Sequence, residues 1–592
     1  MIRRRVRLLV WFALVWVSVV AAQALAASTE GGANPINEAS GPDRVPPESL
    51  DQEPMPGQDA TLPAPSASAT PADDVPDTLP TYLDGLADAL RREHALPAIG
   101  IAVVRPGRPL LLAGYGQADL GSGQAIDPAH GLFRIGSVSK TFTWTLAMIF
   151  AERGLLDLDA DVNSYLTSLA IDDAFGAPVT LRHLMHHRAG FEDSLQVFTV
   201  ADDDPRTLAQ MLAEHQPRRV YPPGSRTSYS NWGSALAAQV LEDVAGRPYG
   251  ELLRTELLDP LGMHDTDWTP PAALQGDRAS RLARGYRPKE GGLGPQDYMQ
   301  LGPYWPAGGL ISTPADMARW VGFHLGGGAL DGVRLLSPDG HAALFSRGFA
   351  DRPLAADLAH GFQDRPFRGH RVLGHGGATS AYLANMMLVP ELGLGVFVAQ
   401  NVAGSRSVVN TLPDQVLEHL LGLSPPAALL AGERGEPGTL AEVAGTYINN
   451  RRAFSSFTAL FGAVGAIRVE AVDAETLLLP GQRPQRYRRV AEDVFESAAG
   501  QRVAVLRDGG RVVALADASG VHPLERVRAF GHPMALFGGI GASLLFGLMA
   551  VFGVIWRLGR KRSVGSVERL AVGAGLMGAL AMFALVACAV LL

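Results

Sequence analysis

Four short segments carry the residue types of an acyl-transfer site, in an order and spacing that chance rarely assembles. They are Ser137-Val138-Ser139-Lys140, Tyr229-Ser230-Asn231, Ala307-Gly308-Gly309-Leu310-Ile311-Ser312-Thr313 and His375-Gly376-Gly377. A serine hydroxyl is a poor nucleophile until an adjacent base takes its proton. Lys140, one helical turn beyond Ser137, places an amine beside that hydroxyl, and an apolar setting favours the neutral amine that can act as the base. Tyr229 is a second proton carrier, expected to have its pKa lowered by a nearby lysine. Asn231 offers a side-chain amide, either to the substrate carbonyl or to position Lys140. His375-Gly376-Gly377-Ala378 reads as a strand edge along the site. Gly377 permits close backbone approach, and the N–H of Ala378 with that of Ser137 would form an oxyanion hole. His375 is alternatively the sole base of an ordinary Ser-His pair. His183 and His187 stand at i, i+4, but position 184 is leucine where a His-Glu-x-x-His zinc site needs an acid, so they read as structural.

These residues need elements that hold them. Ser137 follows Phe133-Arg134-Ile135-Gly136 and opens an apolar helix bearing Phe142, Leu146, Ile149 and Phe150. A helix N-terminus favours negative charge developing at the nucleophile. Ile99 to Val104 and Pro109 to Tyr115 read as paired strands across Arg105-Pro106-Gly107. Helices dominate from Ser137 to about Leu258, with Gly154, Gly190 and Gly246 as stop signals, and Thr313-Pro314-Ala315-Asp316 has the form of a helix start. Strand-like runs return at Ala381 to Leu388 and Gly393 to Asn401. A helical middle between terminal strands of one sheet implies an α/β or α+β sandwich over residues 79–425. Residues 438–528 change texture to short strands, with Asp508-Gly509-Gly510 as a hairpin turn, and read as a small all-β domain.

The chain has 592 residues, 47% hydrophobic and 19% charged, with net charge −8, which predicts more than one globular unit and gives nucleic-acid binding no support. The lone cysteine, Cys588, allows no intrachain disulfide. Arg3, Arg4, Arg5 and Arg7, an apolar run and Ala24-Leu25-Ala26 predict a signal peptide over residues 1–26. Residues 27–78, rich in Pro, Ala, Ser and Gly, predict a disordered linker. Residues 533–556 and 570–592 are uncharged over 24 positions or nearly as many, and are expected to form two transmembrane helices flanking a basic cytoplasmic loop at 557–569. That topology predicts a bilayer-anchored protein of the bacterial inner membrane with its catalytic domain in the periplasm.

The segments around Ser137, Tyr229 and His375, with Asp259-Pro260-Leu261-Gly262-Met263 and Gly308 to Thr313, resemble the serine β-lactamase and penicillin-binding superfamily, in its class C-related branch of DD-peptidases and family VIII esterases. The resemblance covers residues 80 to 425. It implies a helical subdomain beside an α/β/α sandwich, Ser137 as nucleophile, Lys140 and Tyr229 as proton carriers, and no metal or cofactor. One departure stands out. Class C β-lactamases have Lys-Thr-Gly at the third motif, where the lysine helps hold the substrate carboxylate. A neutral His375 is a weaker anchor, which argues for a peptidase or esterase over an efficient β-lactamase. The leading expectation is a membrane-tethered serine hydrolase acting on a peptide, ester or β-lactam-like substrate through an acyl-enzyme. A true β-lactamase or D-Ala-D-Ala carboxypeptidase, and a non-catalytic penicillin- or peptidoglycan-binding receptor, are the alternatives.

Overall fold

The computed structural model describes residues 78–527, except 350–355, 404–407, 424–437, 457–458, 460–461, 463–464 and 481–483, together with a few isolated positions between 545 and 556. Ser68–Val527 forms one compact unit, to which the following description belongs. The expected signal peptide and linker, the basic loop and the segment 570–592 lie outside the described residues.

The expectation of two transmembrane helices is corrected. Among the described residues no helix is long and apolar enough to cross a membrane. A span needs roughly 20 consecutive apolar residues in one helix, and of residues 533–556 only Leu545, Met549, Phe552, Gly553 and Trp556 are described. The fold class that stands is the α/β sandwich.

Strands β1 (Ala98–Arg105) and β2 (Arg108–Asp119) form the expected hairpin, turning at Gly107 with φ of 77°. They join β3 (Gln124–Ala125), β4 (Asp357–Ala359), β5 (Phe362–Phe367), β6 (His370–Ala378), β7 (Leu383–Val389) and β8 (Leu394–Gln400) in one antiparallel sheet of order β4-β5-β6-β7-β8-β1-β2-β3. The central position of β1 explains its composition. Its seven residues from Ala98 to Val104 are buried on both faces, so they read as a continuous apolar run. Ile99, Ile101 and Val103 pack against α1 (Thr78–His94) and α5 (Leu412–Leu420). Ala102 and Val104 face the helical side, with α2 (Ser139–Glu152), α3 (Asn231–Ala245) and α4 (Pro314–Leu325). A Cβ at Gly100 would fall 2.8 Å from both Phe133 and Pro314, so this glycine lets the start of α4 and the strand before Ser137 close onto the sheet.

Helix α2 is buried from Ser139 to Phe150, which demands that its three threonines be satisfied internally. Thr141 and Thr145 donate to the carbonyls of Val138 and Thr141 at 2.8 Å, and Thr143 pairs with the Tyr249 hydroxyl at 2.6 Å. In α4 the Thr313 hydroxyl accepts from the Asp316 N–H at 3.0 Å with Pro314 following, as the sequence predicts. Trp320 of α4 stacks on Phe142 of α2 with ring centroids 4.0 Å apart, and its indole donates to Thr141 at 3.1 Å.

Strands β9 (Gly445–Asn449), β10 (Ile467–Ala471), β11 (Thr476–Leu479), β12 (Gln485–Ala491), β13 (Val494–Ser497), β14 (Arg502–Asp508), β15 (Arg511–Ala516) and β16 (Leu524–Arg526) form a closed barrel, β16 pairing back to β9. Closure leaves no exposed edge. Tyr447, Leu477, Phe495 and Leu515 are fully buried in its core. The barrel seats on the sandwich through polar contacts. Tyr221 and Arg226 donate to Glu525 at 2.7 and 3.0 Å, and the Glu192 carboxylate accepts from the N–H groups of Phe454 and Ser455.

Trp320 ties α4 to α2, the helix that follows Ser137. Trp320→Ala is expected to lower the unfolding free energy by about 3–5 kcal/mol, read by urea denaturation. A loss below about 1 kcal/mol would show that this stack does not anchor the domain.

Candidate active site

Ser137 sits in a single 3-10 turn, Gly136–Val138, that runs directly into α2. Gly136 has φ of 55°, and a Cβ there would lie 2.6 Å from the Ala378 nitrogen. From the other side, a Cβ at Gly377 would lie 1.9 Å from the Ile135 carbonyl and 3.2 Å from the Ser137 nitrogen. Two glycines thus press the end of β6 against the turn that holds Ser137. The close approach expected of Gly377 is made to the Ile135–Ser137 backbone, and it brings the nitrogens of Ser137 and Ala378 into one neighbourhood.

The Tyr229-Ser230-Asn231 segment is a helix start. Ser230 caps α3, its hydroxyl accepting from the Gly233 N–H at 3.0 Å, which fixes Tyr229 just before the helix and Asn231 at its first position. From there Asn231 reaches Lys140. The amine of Lys140 is fully buried, lies 2.9 Å from Ser137 Oγ, and donates to Asn231 Oδ1 at 2.8 Å and to the Ala307 carbonyl. Burial first, and the nearby Arg451 guanidinium second, push its pKa well below that of an ordinary lysine. A neutral amine has two hydrogens and one lone pair. In that form, with Asn231 Oδ1 and the Ala307 carbonyl accepting the two hydrogens, the lone pair faces the Ser137 hydroxyl. The glycine-rich segment beginning at Ala307 therefore contributes a carbonyl that orients the Lys140 amine.

Tyr229 is 3% exposed and hydrogen-bonds Ser137. Its pKa departs from expectation. Burial pushes it up to about 12, and the cations beside it do not reverse this. Lys140 is itself driven towards neutrality and lies 5.1 Å from the ring centre, so it supplies little charge to stabilise a phenolate. Tyr229 is thus a protonated phenol at neutral pH, suited to giving a proton.

His375 is buried, and its Nδ1 donates to the Gly376 carbonyl at 2.6 Å. Burial, with the Lys140 charge second, brings its pKa down to about 3, so the ring is neutral and carries its hydrogen on Nδ1. Among the described residues Ser137 is bonded by Lys140 and Tyr229, not by His375, which removes the geometry of an ordinary Ser-His pair. His187 packs on Tyr229 with ring centroids 4.2 Å apart and accepts from the Ser230 N–H at 3.3 Å. His183 belongs to the cap of its own helix turn. Neither shares a metal-binding cluster among the described residues.

A cavity of about 350 Å³ opens over these groups. Ser137, Tyr229, Asn231, His375, Gly377 and Ala378 line it, with Lys140 behind the serine. Asn231 Nδ2 is buried without a hydrogen-bond partner among the described residues, a donor ready for a substrate oxygen. The barrel adds Arg451, Ser519 and His522 to the same wall. Arg451 lies 4.5 Å above the Tyr229 ring and His522 meets its edge at 5.6 Å. The sequence analysis placed no functional group in the barrel. The signal available was the pair of polar turns flanking β9 and β16, which looks like any loop until the fold brings it to Tyr229.

Comparison with known proteins bears on the family to which the chain belongs. A family model described as Beta-lactamase matches residues 83–421. Penicillin-binding protein 4 of Amycolatopsis lactamdurans is 31% identical over 370 residues, covering 61% of this chain and 95% of that protein. The D-aminopeptidase of Gluconobacter oxydans is 27% identical over 363 residues, covering 59% of this chain and 63% of that protein. The octameric penicillin-binding protein homologue from Pyrococcus abyssi shares the fold, with a TM-score of 0.52 at 22% identity over 75% of this chain and 99% of that one. With the matched region spanning more than half of its length and enclosing Ser137, Lys140, Tyr229 and His375, the chain belongs to the β-lactamase family.

Proposed function

We propose that the protein is a serine hydrolase that forms an acyl-enzyme on Ser137 and cleaves a peptide, amide or ester bond outside the cytoplasm. The observation that carries this is the buried Lys140 amine, 2.9 Å from Ser137 Oγ and held by Asn231 Oδ1 and the Ala307 carbonyl. In acylation the Ser137 proton passes to Lys140 Nζ as Oγ bonds to the carbonyl carbon. The oxyanion is held by the N–H groups of Ser137 and Ala378. Tyr229 donates its proton to the departing group as the carbonyl re-forms, and the Lys140 ammonium returns a proton to the phenolate. Water then attacks the ester, its proton taken by the same pair, and Ser137 is restored. A peptidase or esterase is favoured over an efficient β-lactamase because the third motif presents a neutral His375 in place of a lysine. The relatives named penicillin-binding protein and D-aminopeptidase support a peptide-like substrate. Work outside the cytoplasm is supported by the arginine-rich, then apolar, then Ala-x-Ala N-terminus.

Ser137→Ala is expected to abolish fluorophosphonate labelling and to cut hydrolysis of a p-nitrophenyl ester on the order of 10⁴-fold or more, with the thermal melt nearly unchanged. Labelling that persists in this variant would place the nucleophile elsewhere.

The pH profile has a definite sign. Lys140 must be neutral to accept a proton, so kcat/KM falls as pH drops through its lowered pKa and is flat above it, well below the range of an ordinary lysine. Tyr229 stays protonated until pH nears about 12, so it contributes no descending limb at moderately alkaline pH. A profile that rises only near pH 10 would contradict a neutral buried lysine.

Gly377→Ala forces a methyl into the Ile135 carbonyl and moves Ala378 relative to Ser137. A shift of about 1 Å at a catalytic group costs about 10²-fold, and a loss of that order in kcat is expected. A variant with wild-type kcat would show that the oxyanion site does not use this strand.

A further inference from the structure

A further cavity, of about 270 Å³, lies against the glycine-rich segment that orients Lys140. Gly308 lines the Ser137 cleft, whereas Gly309 lines this cavity, and Leu301 lines both. Trp305, also on its wall, accepts at its carbonyl from the N–H groups of Gly308 and Gly309 at 3.0 and 2.6 Å. Two groups of opposite charge line the cavity. Arg134, three residues before Ser137, is 3% exposed. Its Nη1 donates to the Met299 carbonyl, but its Nε–H is buried with no hydrogen-bond partner among the described residues. Asp202 Oδ1 accepts from the N–H groups of Leu301 and Gly302, both at 3.0 Å, while its Oδ2 is likewise buried without a partner. Asp204, the other acid on this wall, is taken up by Arg206 at 2.6 Å. Much of the remaining wall is apolar, with Trp268 and Trp305 stacked at 4.9 Å between ring centroids and Pro270 on the same wall. A buried donor and a buried acceptor left open in one cavity carry a desolvation cost that a bound partner would remove.

We propose that this cavity is a small-molecule site distinct from the Ser137 cleft, and that its ligand is an uncharged carboxamide on a small ring, the amide oxygen accepting from Arg134 Nε and the amide N–H donating to Asp202 Oδ2. The electrostatics select the class. An anion would gain Arg134 but meet Asp202, and a cation would meet Arg134. A zwitterion would have two charges of its own to desolvate. An amide carries an acceptor and a donor on neighbouring atoms without a net charge. Size selects the ring. The volume falls just below the usual range of ligand pockets, about 300–1,000 Å³, which suits one ring with a single substituent, and Trp268, Trp305 and Pro270 give that ring apolar contact. A ligand here would touch Gly309, two residues from the Ala307 carbonyl that holds Lys140. The proposal does not depend on the hydrolase reading of Ser137.

The test is calorimetric binding of benzamide and acetophenone to the full-length protein. The two have nearly the same shape and the same carbonyl acceptor, but acetophenone has a methyl group where benzamide has its N–H donors. A hydrogen bond to a charged partner is worth about 10- to 100-fold in affinity, and benzamide is expected to bind tighter than acetophenone by that factor. Asp202→Asn keeps the shape and an acceptor for the Leu301 and Gly302 N–H groups but removes the charge, and it should bring benzamide down to the level of acetophenone. Arg134→Lys, which keeps the charge but not the Nε donor, should weaken both ligands together. Thermal melts report whether each variant keeps its fold, and if neither does, the ratio of the two ligands on the unaltered protein decides alone. Absence of benzamide binding at millimolar concentration, equal affinity for the two ligands, or a preference that survives in folded Asp202→Asn overturns the proposal. The first two results would leave ordered water as the occupant, and the third would place benzamide elsewhere, such as in the Ser137 cleft.

Discussion

The site depends on placing one amine where water cannot reach it. Lys140 is fully buried on a helix that is itself buried almost throughout, and desolvation is the largest influence on its protonation. A buried ammonium facing three acceptors would be a structural cation and would leave Ser137 inert. A buried amine with two acceptors and one hydroxyl is a base. Which of these exists is decided by the balance of desolvation against the acceptors, and the second cation at Arg451 tips it further towards the neutral form. The surrounding architecture serves this one condition. The sheet must be buried on both faces so that α2 has no wet side, the three threonines of α2 must find partners inside, and Ala307 must turn its carbonyl inwards.

The same desolvation inverts the role of Tyr229. In an open cleft a phenol beside a lysine would be lowered and would compete for the serine proton. Here both groups are buried together, which drives the lysine's pKa down and the phenol's up to about 12, so the phenol keeps its proton. The opposite pKa shifts of the two groups thus follow from shared burial. They require no charged partner at His375, whose neutral ring fills the floor of the cleft and holds its hydrogen on the Gly376 carbonyl.

Local features of this arrangement were legible in the sequence. A serine, a lysine one turn later and a glycine before the serine define the start of α2 by spacing alone. Ser230 announces the cap of α3, and Thr313-Pro314-Ala315-Asp316 announces α4, because capping is a property of a few adjacent residues. The hairpin of β1 and β2 and the change to short strands after residue 438 were legible from alternation and turn residues. Features fixed by distant chain segments were not. The raised pKa of Tyr229 depends on what buries it, including Val521 of the barrel. The contact of Arg451 with Tyr229 joins positions 222 residues apart, and no periodicity encodes that. Apolar runs near the C-terminus satisfied the length rule for a membrane span, but the described residues contain no helix long and apolar enough to cross a bilayer.

A barrel that merely packed beside a hydrolase domain would be expected to meet it through an apolar patch remote from the chemistry. This one meets it through carboxylates and backbone N–H groups at Glu192, Asp193 and Glu525, and its turns end on Tyr229. Polar contacts of this kind are directional, so they fix position more sharply than apolar contact does, at the cost of needing every partner satisfied. Glu192 and Asp193 follow Phe191, which is buried against Trp232 at the start of α3. The segment that clamps the barrel is thereby rigidly continuous with the helix that positions Tyr229 and Asn231. The cleft beside Ser137 thus has a wall whose two halves come from different parts of the chain and are registered through one short segment.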